Sequence, residues 1–529
     1  MYLRHTRARR ARTIAASAAA AALGLSLAAA PAQAGGESDA AVAWVDGQLV
    51  DDLALSPFGG SDVGLSIDVG LLALAAGDNE LAQRVYVAVT DAYDTGDFPY
   101  VGAGTPGGGG EAYVNAIAKL ARFVQLAGGD PRDVDGRDLI ADLEALTDDA
   151  SGRIADQSEF GDFASTIGQS FAVAALSAAG SDEADAALAY LLDQQCDANG
   201  GFRPSLGAVG AVGDAAGCTN GFEAELDATA FVVQLLAPLD LAPTATSAAA
   251  DFLERLQDPN GGNYSNGSDN TNTTGLVAYA LSLEGRDDAA TVAADFVRGL
   301  QVRAPGACTD ADEGAVAFDR AAFNAQKLDG ITADTRDQFV RATAQAGLVL
   351  DLVSEPTEQL VADAPTEYVR ARSLQPVLVR GLASRDTVCV SIGRFGVDEV
   401  TGLEGSTTVR VTTGPGTAVR TYEVADTYGR TTEVSMRVLG PKTLTVRAPA
   451  QRVRGSKMRV VARGLAPGEK ATLFVSRGDT RTQFANRDGR VEFRGVDVVR
   501  KPGNRRYVVR GKFSRIRKGS DVVRVLRSR

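Results

Sequence analysis

Histidine is almost absent: among 529 residues the one imidazole belongs to His5, and tryptophan also occurs once, at Trp44. His5 lies in a segment that reads as a removable leader, so the mature chain carries no imidazole. That excludes Ser-His-Asp and Cys-His mechanisms and any zinc site needing a histidine ligand. One indole cannot line a cavity that shelters carbocations. Aromatic residues are 6% of the chain against 58 glycines, so the core must be built from small aliphatic side chains, as in helices packed through alanine. Beyond the first 34 residues no apolar run is long enough to span a bilayer. Cysteine is scarce too, and Cys196, Cys218, Cys308 and Cys389 contain no Cys-X-X-Cys pair for zinc or redox chemistry. In an exported protein this even number suggests two disulfides, with buried thiols as the alternative. Cys196 and Cys218 bracket one Gly-rich loop, and pairing them leaves Cys308 for Cys389.

What is present begins with the leader. Arg4, Arg7, Arg9, Arg10 and Arg12 precede an apolar stretch from Thr13 to Ala30 and a small-residue cleavage site, Ala32-Gln33-Ala34. Residues 1–34 read as a signal peptide, and the mature chain as secreted, extracellular or wall-associated. The Arg9-Arg10 pair suits a twin-arginine route, but Arg12 and Thr13 displace the apolar residues that should follow it, so general secretion fits better. This Ala/Arg-rich leader resembles those of high-GC Gram-positive bacteria.

The composition, 45% apolar and 23% charged, is that of a globular protein of several domains. Its net charge of −13 hides two opposite halves. Residues 441–529 hold 25 Lys and Arg against 6 Asp and Glu, whereas residues 35–440 hold 24 against 61. An acidic body with a basic tail should seek anionic polymer, which outside a cell means wall polymer, phospholipid surface or acidic polysaccharide. Nucleic acid is out of place there. The blander reading is that these cations only solvate exposed strands or face the acidic body.

Between residues 36 and 353 the sequence repeats with a period near 50. Each unit has an amphipathic helix, a Gly/Asp/Asn-rich loop and a second, more apolar helix. Ala186 to Gln195 leads into Asp197-Ala198-Asn199-Gly200-Gly201-Phe202, and Ala249 to Gln257 into Asp258-Pro259-Asn260-Gly261-Gly262-Asn263-Tyr264. The first unit keeps Trp44, Gln48 and Phe58-Gly59-Gly60, the third Leu146, Asp148 and Ser151-Gly152, and the sixth Phe296, Val297 and Gln301 before a divergent loop. The second helices, around Ile67, Val114, Thr166, Leu226, Thr273 and Ala342, are apolar almost all round, as helices buried on both sides should be. An inner ring wrapped by an outer one satisfies both patterns. A helix ending in Leu and Gln, then Asp-X-X-Gly-Gly-aromatic, then a helix opening Asp227-Ala228-Thr229-Ala230, resembles the repeat of the squalene cyclase and protein prenyltransferase superfamily. The resemblance implies an (α/α)6 toroid of six helical hairpins over about 315 residues. It does not fix activity, since that toroid also hosts cobalamin carriers and thioester domains.

From Glu355 onward, alternating Val/Thr/Arg runs punctuated by Gly and Pro indicate two β-sandwich modules, 355–440 and 441–529. Val369 to Val390 matches Val446 to Leu473, and Gly381-Leu382-Ala383-Ser384-Arg385-Asp386 aligns with Gly464-Leu465-Ala466-Pro467-Gly468-Glu469. These copies look like the immunoglobulin-like modules of bacterial surface proteins, which space or adhere.

The residues that would mark the toroid's known activities are missing. There is no Asp-X-Asp-Asp motif and no Gly-Cys-Gly-Glu-Gln thioester motif. Carboxylate-only chemistry survives, with Glu223, Glu225 and Asp227 as catalytic candidates. Asp68, Asn115, Asp227 and Asn272 recur near the starts of inner helices, where capping is the competing explanation. Phe202, Phe222 and Tyr264 are the thin supply of aromatic platforms. Asp68, Asn115, Gln169, Asp227 and Thr274 are candidates to face a ligand. Asp258, Asn260 and Asn263 to Asp269, with Asp310 and Asp312, are weak calcium candidates that lack the full loop pattern, and no other cofactor is indicated. The expectation is a non-catalytic surface protein whose toroid binds a small ligand or a partner protein and whose last module contacts anionic wall polymer. The alternative is a carbohydrate- or terpenoid-active enzyme.

Overall fold

The computed structural model describes residues 37–94, 110–208, 217–218, 223–265, 267–353, 356–401, 405–475 and 480–527. The segment read above as a leader, Phe222 and Asn266 lie outside them.

Thirteen helices occupy the N-terminal part of the described chain. Six of them form an inner ring: α2 (Val63–Ala76), α4 (Val114–Leu126), α6 (Thr166–Ala179), α8 (Leu226–Leu236), α10 (Thr271–Leu283) and α13 (Arg336–Ala346). Each packs on the next, and α13 packs back on α2. Small residues let these helices approach: Gly70 lies under the Phe123 ring, Gly168 against Asn115, and Gly275 against Ala346. Outside the ring, α1 (Glu37–Asp46) touches α2 and α13, α3 (Asn79–Asp94) lies on α2, and α5 (Leu139–Leu146) on α4 and α6. Likewise α7 (Ala184–Leu192) lies on α6, α9 (Pro243–Arg255) on α8 and α10, and α11 (Asp287–Arg298) on α10. The ends of the helical part meet where the Ser38 hydroxyl donates to Asp351 at 2.6 Å.

The repeated loop has a specific physical task. Gly152, Gly200, Gly261 and Gly314 all have φ between +76° and +99°. At each of them a Cβ would stand 2.0–2.5 Å from a main-chain oxygen of the following outer helix: Ala186, Ala248, Val292 and, closing the circle, Ala40. Only glycine satisfies both constraints. A glutamine amide bridges the same joint. Gln195 donates to Gly200 O and Ala245 O, Gln257 to Gly261 O and Ala289 O, and Gln169, from the inner helix, to Gly152 O and Ala187 O. An inner-helix acceptor then takes the N–H further along the loop: Ser66 from Ala54, Gln169 from Ile154, Thr229 from Phe202, Thr274 from Asn263 and Thr343 from Val316.

Two features depart from the sequence expectation. Gly59 and Gly60 keep the letters of the motif, but nothing stands where their Cβ atoms would be, and Phe58 is 96% exposed. Here α3 is held instead by Arg84, paired with Asp46 at 2.6 Å and Asp52 at 2.9 Å. The divergent sixth loop keeps the tight joint at Gly314 and then contains an additional helix, α12 (Arg320–Asp329), before α13.

From Val361 the chain is β-rich. Strands Val361–Asp363, Leu374–Arg380 and Ser406–Thr412 form one sheet, and a five-stranded sheet contains Thr387–Ile392, Ala418–Asp426 and Thr431–Leu439; the two share a core around Val377, Val390, Tyr422 and Met436. Residues 442–526 repeat the pattern with a three-stranded and a six-stranded sheet around Val460, Leu473, Phe493 and Tyr507. The copies share fine detail: Leu382 N–H donates to Gly405 O and Leu465 N–H to Gly489 O.

The aligned acids, Asp386 and Glu469, sit at the joints to whatever precedes them. Asp386 is buried beneath Arg298 of α11, 3.6 Å away, whose guanidinium stacks 3.7 Å from the Tyr428 ring centre and donates to Thr427. Glu469 receives Arg517 through two 2.7 Å bonds, and the same guanidinium reaches Gly440 O in the preceding module at 2.9 Å. Both disulfides expected in the sequence are formed, Cys196–Cys218 and Cys308–Cys389, and the second ties the helical part to the β-rich part.

Two stability outcomes follow. Gly261→Ala should lower the unfolding free energy by about 2 kcal/mol or more, and Gly59→Ala, at a similar φ in open space, by only about 1 kcal/mol. Urea titration of both variants checks this. Arg298→Ala leaves Asp386 charged and buried, and should destabilise by about 3–5 kcal/mol in the same assay.

Candidate functional site: the ring axis and a basic sheet face

The inner helices enclose two hollows divided by polar side chains. Lys119 of α4 pairs with Asp68 of α2 at 2.6 Å, Gln345 of α13 donates to Asp68 at 3.2 Å, and Asn272 of α10 donates to Gln345 at 2.6 Å. On the loop side lies a hollow of about 470 Å³ lined by Asp62, Tyr113, Asn115, Lys119, Asp156 and Phe163. Towards the C-terminal ends of the inner helices lies one of about 330 Å³ that touches all six of them. Its wall is mostly Leu71, Leu126, Phe171, Phe231, Leu276 and Leu348, with Asp68, Arg122, Gln234, Tyr279 and Gln345 as polar points.

The acidic candidates separate into different roles. Glu225 is the N-cap of α8, accepting the Ala228 N–H at 2.8 Å, and Glu223 lies 3.6 Å from Arg203. Asp227 alone has an unpartnered buried oxygen, Oδ1. Burial first, then the charge of Glu225, raises its pKa to about 6, against which a hydrogen bond with Thr273 acts weakly.

Capping does not explain the recurring Asp and Asn of the inner helices. The caps are Asp62, Ser165, Glu225 and Asn270, which precede α2, α6, α8 and α10. Asp68 lies well inside α2, where Lys119 and Gln345 claim it. Asn115 reaches across to the next inner helix, accepting from the Ser165 N–H and donating to Phe163 O. Gln169 and Thr274 are fully buried in the loop joints, where all their bonds described above are spent.

Of the aromatic platforms, Phe202 is buried and offers no face, whereas Tyr264 is 63% exposed. Phe160 and Phe163, also exposed, were not singled out from the sequence, since no repeat position marks them. For calcium, Gln326 donates to both Asp310 and Asp312, and Ile331 N–H donates to Asp312. Asn260 is bonded to Asp269, whose charge, after burial, helps raise the Asp258 pKa. Among the described residues no cluster of three metal-ligating side chains forms.

A second surface stands out in the last module. Strand registers place Lys470, Arg506, Arg510, Lys518 and Arg524 on one outward sheet face, opposite the buried Leu473, Tyr507, Val509, Val523 and Val525. All five cations are exposed and none forms a salt bridge among the described residues, although the charge of Lys470, after the hydrogen bond and charge of Lys512, helps lower the pKa of Glu367. Arg510 lies 4.6 Å over the ring of Phe474 on the same face. On the other sheet, by contrast, Glu492 is ringed by Arg459, Arg490 and Arg494. No helix among the described residues is long and apolar enough to cross a membrane.

No protein-family model and no curated protein matches the chain. Among solved structures it is similar to a protein from Actinoplanes, at 15% identity over 60% of this chain and 98% of that one, with a TM-score of 0.41. It is likewise similar to the type II terpene cyclase MstE from Scytonema, at 16% identity over 60% and 97%, again with a TM-score of 0.41. At such scores the ring rests on its own helix contacts and not on these likenesses.

Asp227→Asn should stabilise the protein at pH 7–8 by up to ~3 kcal/mol, at ~1.4 kcal/mol per pKa unit. The folded state binds the Asp227 proton more tightly than the unfolded chain, so the wild type loses stability as pH rises from about 4 to about 6. The difference in melting temperature between wild type and variant, followed from pH 4 to pH 8, should open across that window.

Proposed function

We propose that this is an exported, non-catalytic surface protein: a helical toroid of six hairpins presenting a small-ligand site, carried on two immunoglobulin-like β-sandwich modules, the last of which holds it to anionic wall polymer. The observation that carries this reading is the cationic sheet face of the last module. Five exposed cations, none of them in a salt bridge among the described residues and interleaved with Val508, Val522 and Phe474, make a repulsive surface that an anionic chain would relieve. The two buried acid–arginine joints and the Cys308–Cys389 bridge suit a protein that must present its ring at a fixed distance outside the cell. The leader and the disulfides fit an oxidising location.

A second reading, an enzyme acting on a carbohydrate or terpenoid, draws on one observation, the carboxyl of Asp227 with its pKa near 6. Against it, Glu225 is spent as a cap and Glu223 lies beside Arg203, so the second free carboxylate that glycoside hydrolysis requires does not come from this cluster.

Fractionation of the producing cells tests the first reading. The protein should remain with the wall at low salt and come off as ionic strength passes roughly 0.1–0.5 M, where screening reaches contact distances. A variant with Arg506, Arg510 and Lys518 changed to Gln should come off at lower salt. Protein free in the medium at low salt would sink the anchoring role.

A further inference from the structure

We infer that the hollow at the C-terminal ends of the inner helices takes an apolar molecule carrying a single carboxylate, with Arg122 as its counter-ion. This rests on the ligand-binding reading above and gives that ligand its chemistry.

The inference starts from a charge that lacks its opposite. Arg122, on α4, is 3% exposed and lines the hollow. Among the described residues its one hydrogen bond runs from Nη1 to the neutral Gln125 Oε1 at 3.2 Å, and its Nε is buried without a partner. Gln125 is itself fixed, donating to Ala175 O of α6 at 2.9 Å. The acid on the wall, Asp68, is already paired with Lys119, so that pair is neutral and Arg122 leaves the hollow with one uncompensated positive charge. Burial lowers the Arg122 pKa, with no neighbouring carboxylate to oppose it.

Holding a guanidinium out of water without a counter-charge is strongly unfavourable, and a leucine or methionine would fill the same space more stably. The position therefore makes physical sense if an anion completes it. The Gln125 contact takes one N–H of the guanidinium and leaves others that could serve the oxygens of a carboxylate. Around it the wall is leucine and phenylalanine, which suits an aliphatic body. The volume lies at the small end of ligand cavities. A dianionic phosphate would ask for a second cation, and Lys119 is committed to Asp68.

Binding of saturated carboxylic acids of eight to sixteen carbons and of the matching alcohols to the mature protein tests this, by native mass spectrometry and by shift of the melting temperature. The acids should bind at least tenfold more tightly than the alcohols. Arg122→Met should erase that preference and, free of ligand, should melt no lower than the wild type. Equal binding of acids and alcohols by the wild type, an acid preference that survives Arg122→Met, or a lower melting point of the free variant would overturn the role of Arg122 and leave the hollow as a binding site. No binding of either series would overturn the small-ligand reading as well. The wild-type comparison of acid with alcohol stands alone if the variant fails to fold.

Discussion

A glutamine amide shared between a loop carbonyl and the neighbouring outer helix, beside a glycine pressed onto that helix's main chain, sets the spacing of the ring. The amide satisfies carbonyls that would otherwise be buried without donors, and the glycine permits backbone to touch backbone. Neither works without the other. A side chain on the glycine pushes the outer helix away, and without the amide two buried acceptors are stranded. The hollow along the axis has its width because these joints fix how far each inner helix stands from the next.

This explains why the fold was legible in the sequence. Gln195, Gly200, Gln257 and Gly261 form a motif because the joint demands those residue types, and the apolar inner helices announce burial on both sides. Where the constraint is met by other means, reading the letters misled. Phe58-Gly59-Gly60 keeps the motif although Arg84 does the holding, and Gly314 does the work inside a loop that looks divergent because α12 is inserted after the joint. The site was less legible. Asp68, Asn115 and Asn272 recur at similar places, which suggested capping, but their partners are side chains and backbone of other inner helices. Arg122 carries no signal in the sequence, since one arginine in an apolar helix is ordinary until its neighbours among the described residues, with no carboxylate pairing with it, are known.

The joints between units follow another logic. Asp386 and Glu469 stand at the same place in two copies of one module, and each is buried under an arginine. In the first case that arginine comes from α11, in the second from the module itself, with its free edge reaching back to Gly440. The two modules thus share a buried acid at this place but draw the cation from different sources, so each is fastened to a different neighbour through a carboxylate. Such pairs add little net stability but oppose any separation that would strand the acid.

The closing contacts of the ring also impose an order of events. Gly314 seats on Ala40, and Ser38 bonds Asp351 across 313 positions of sequence. A chain made from its N-terminus completes α1 long before the residues that α1 must meet. Until they arrive, the apolar sides of α1, α2 and the growing arc lie open to water and to other chains. The first helix of the ring to be made is thus among the last to find its place, and the ring stays an open arc until its final residues arrive.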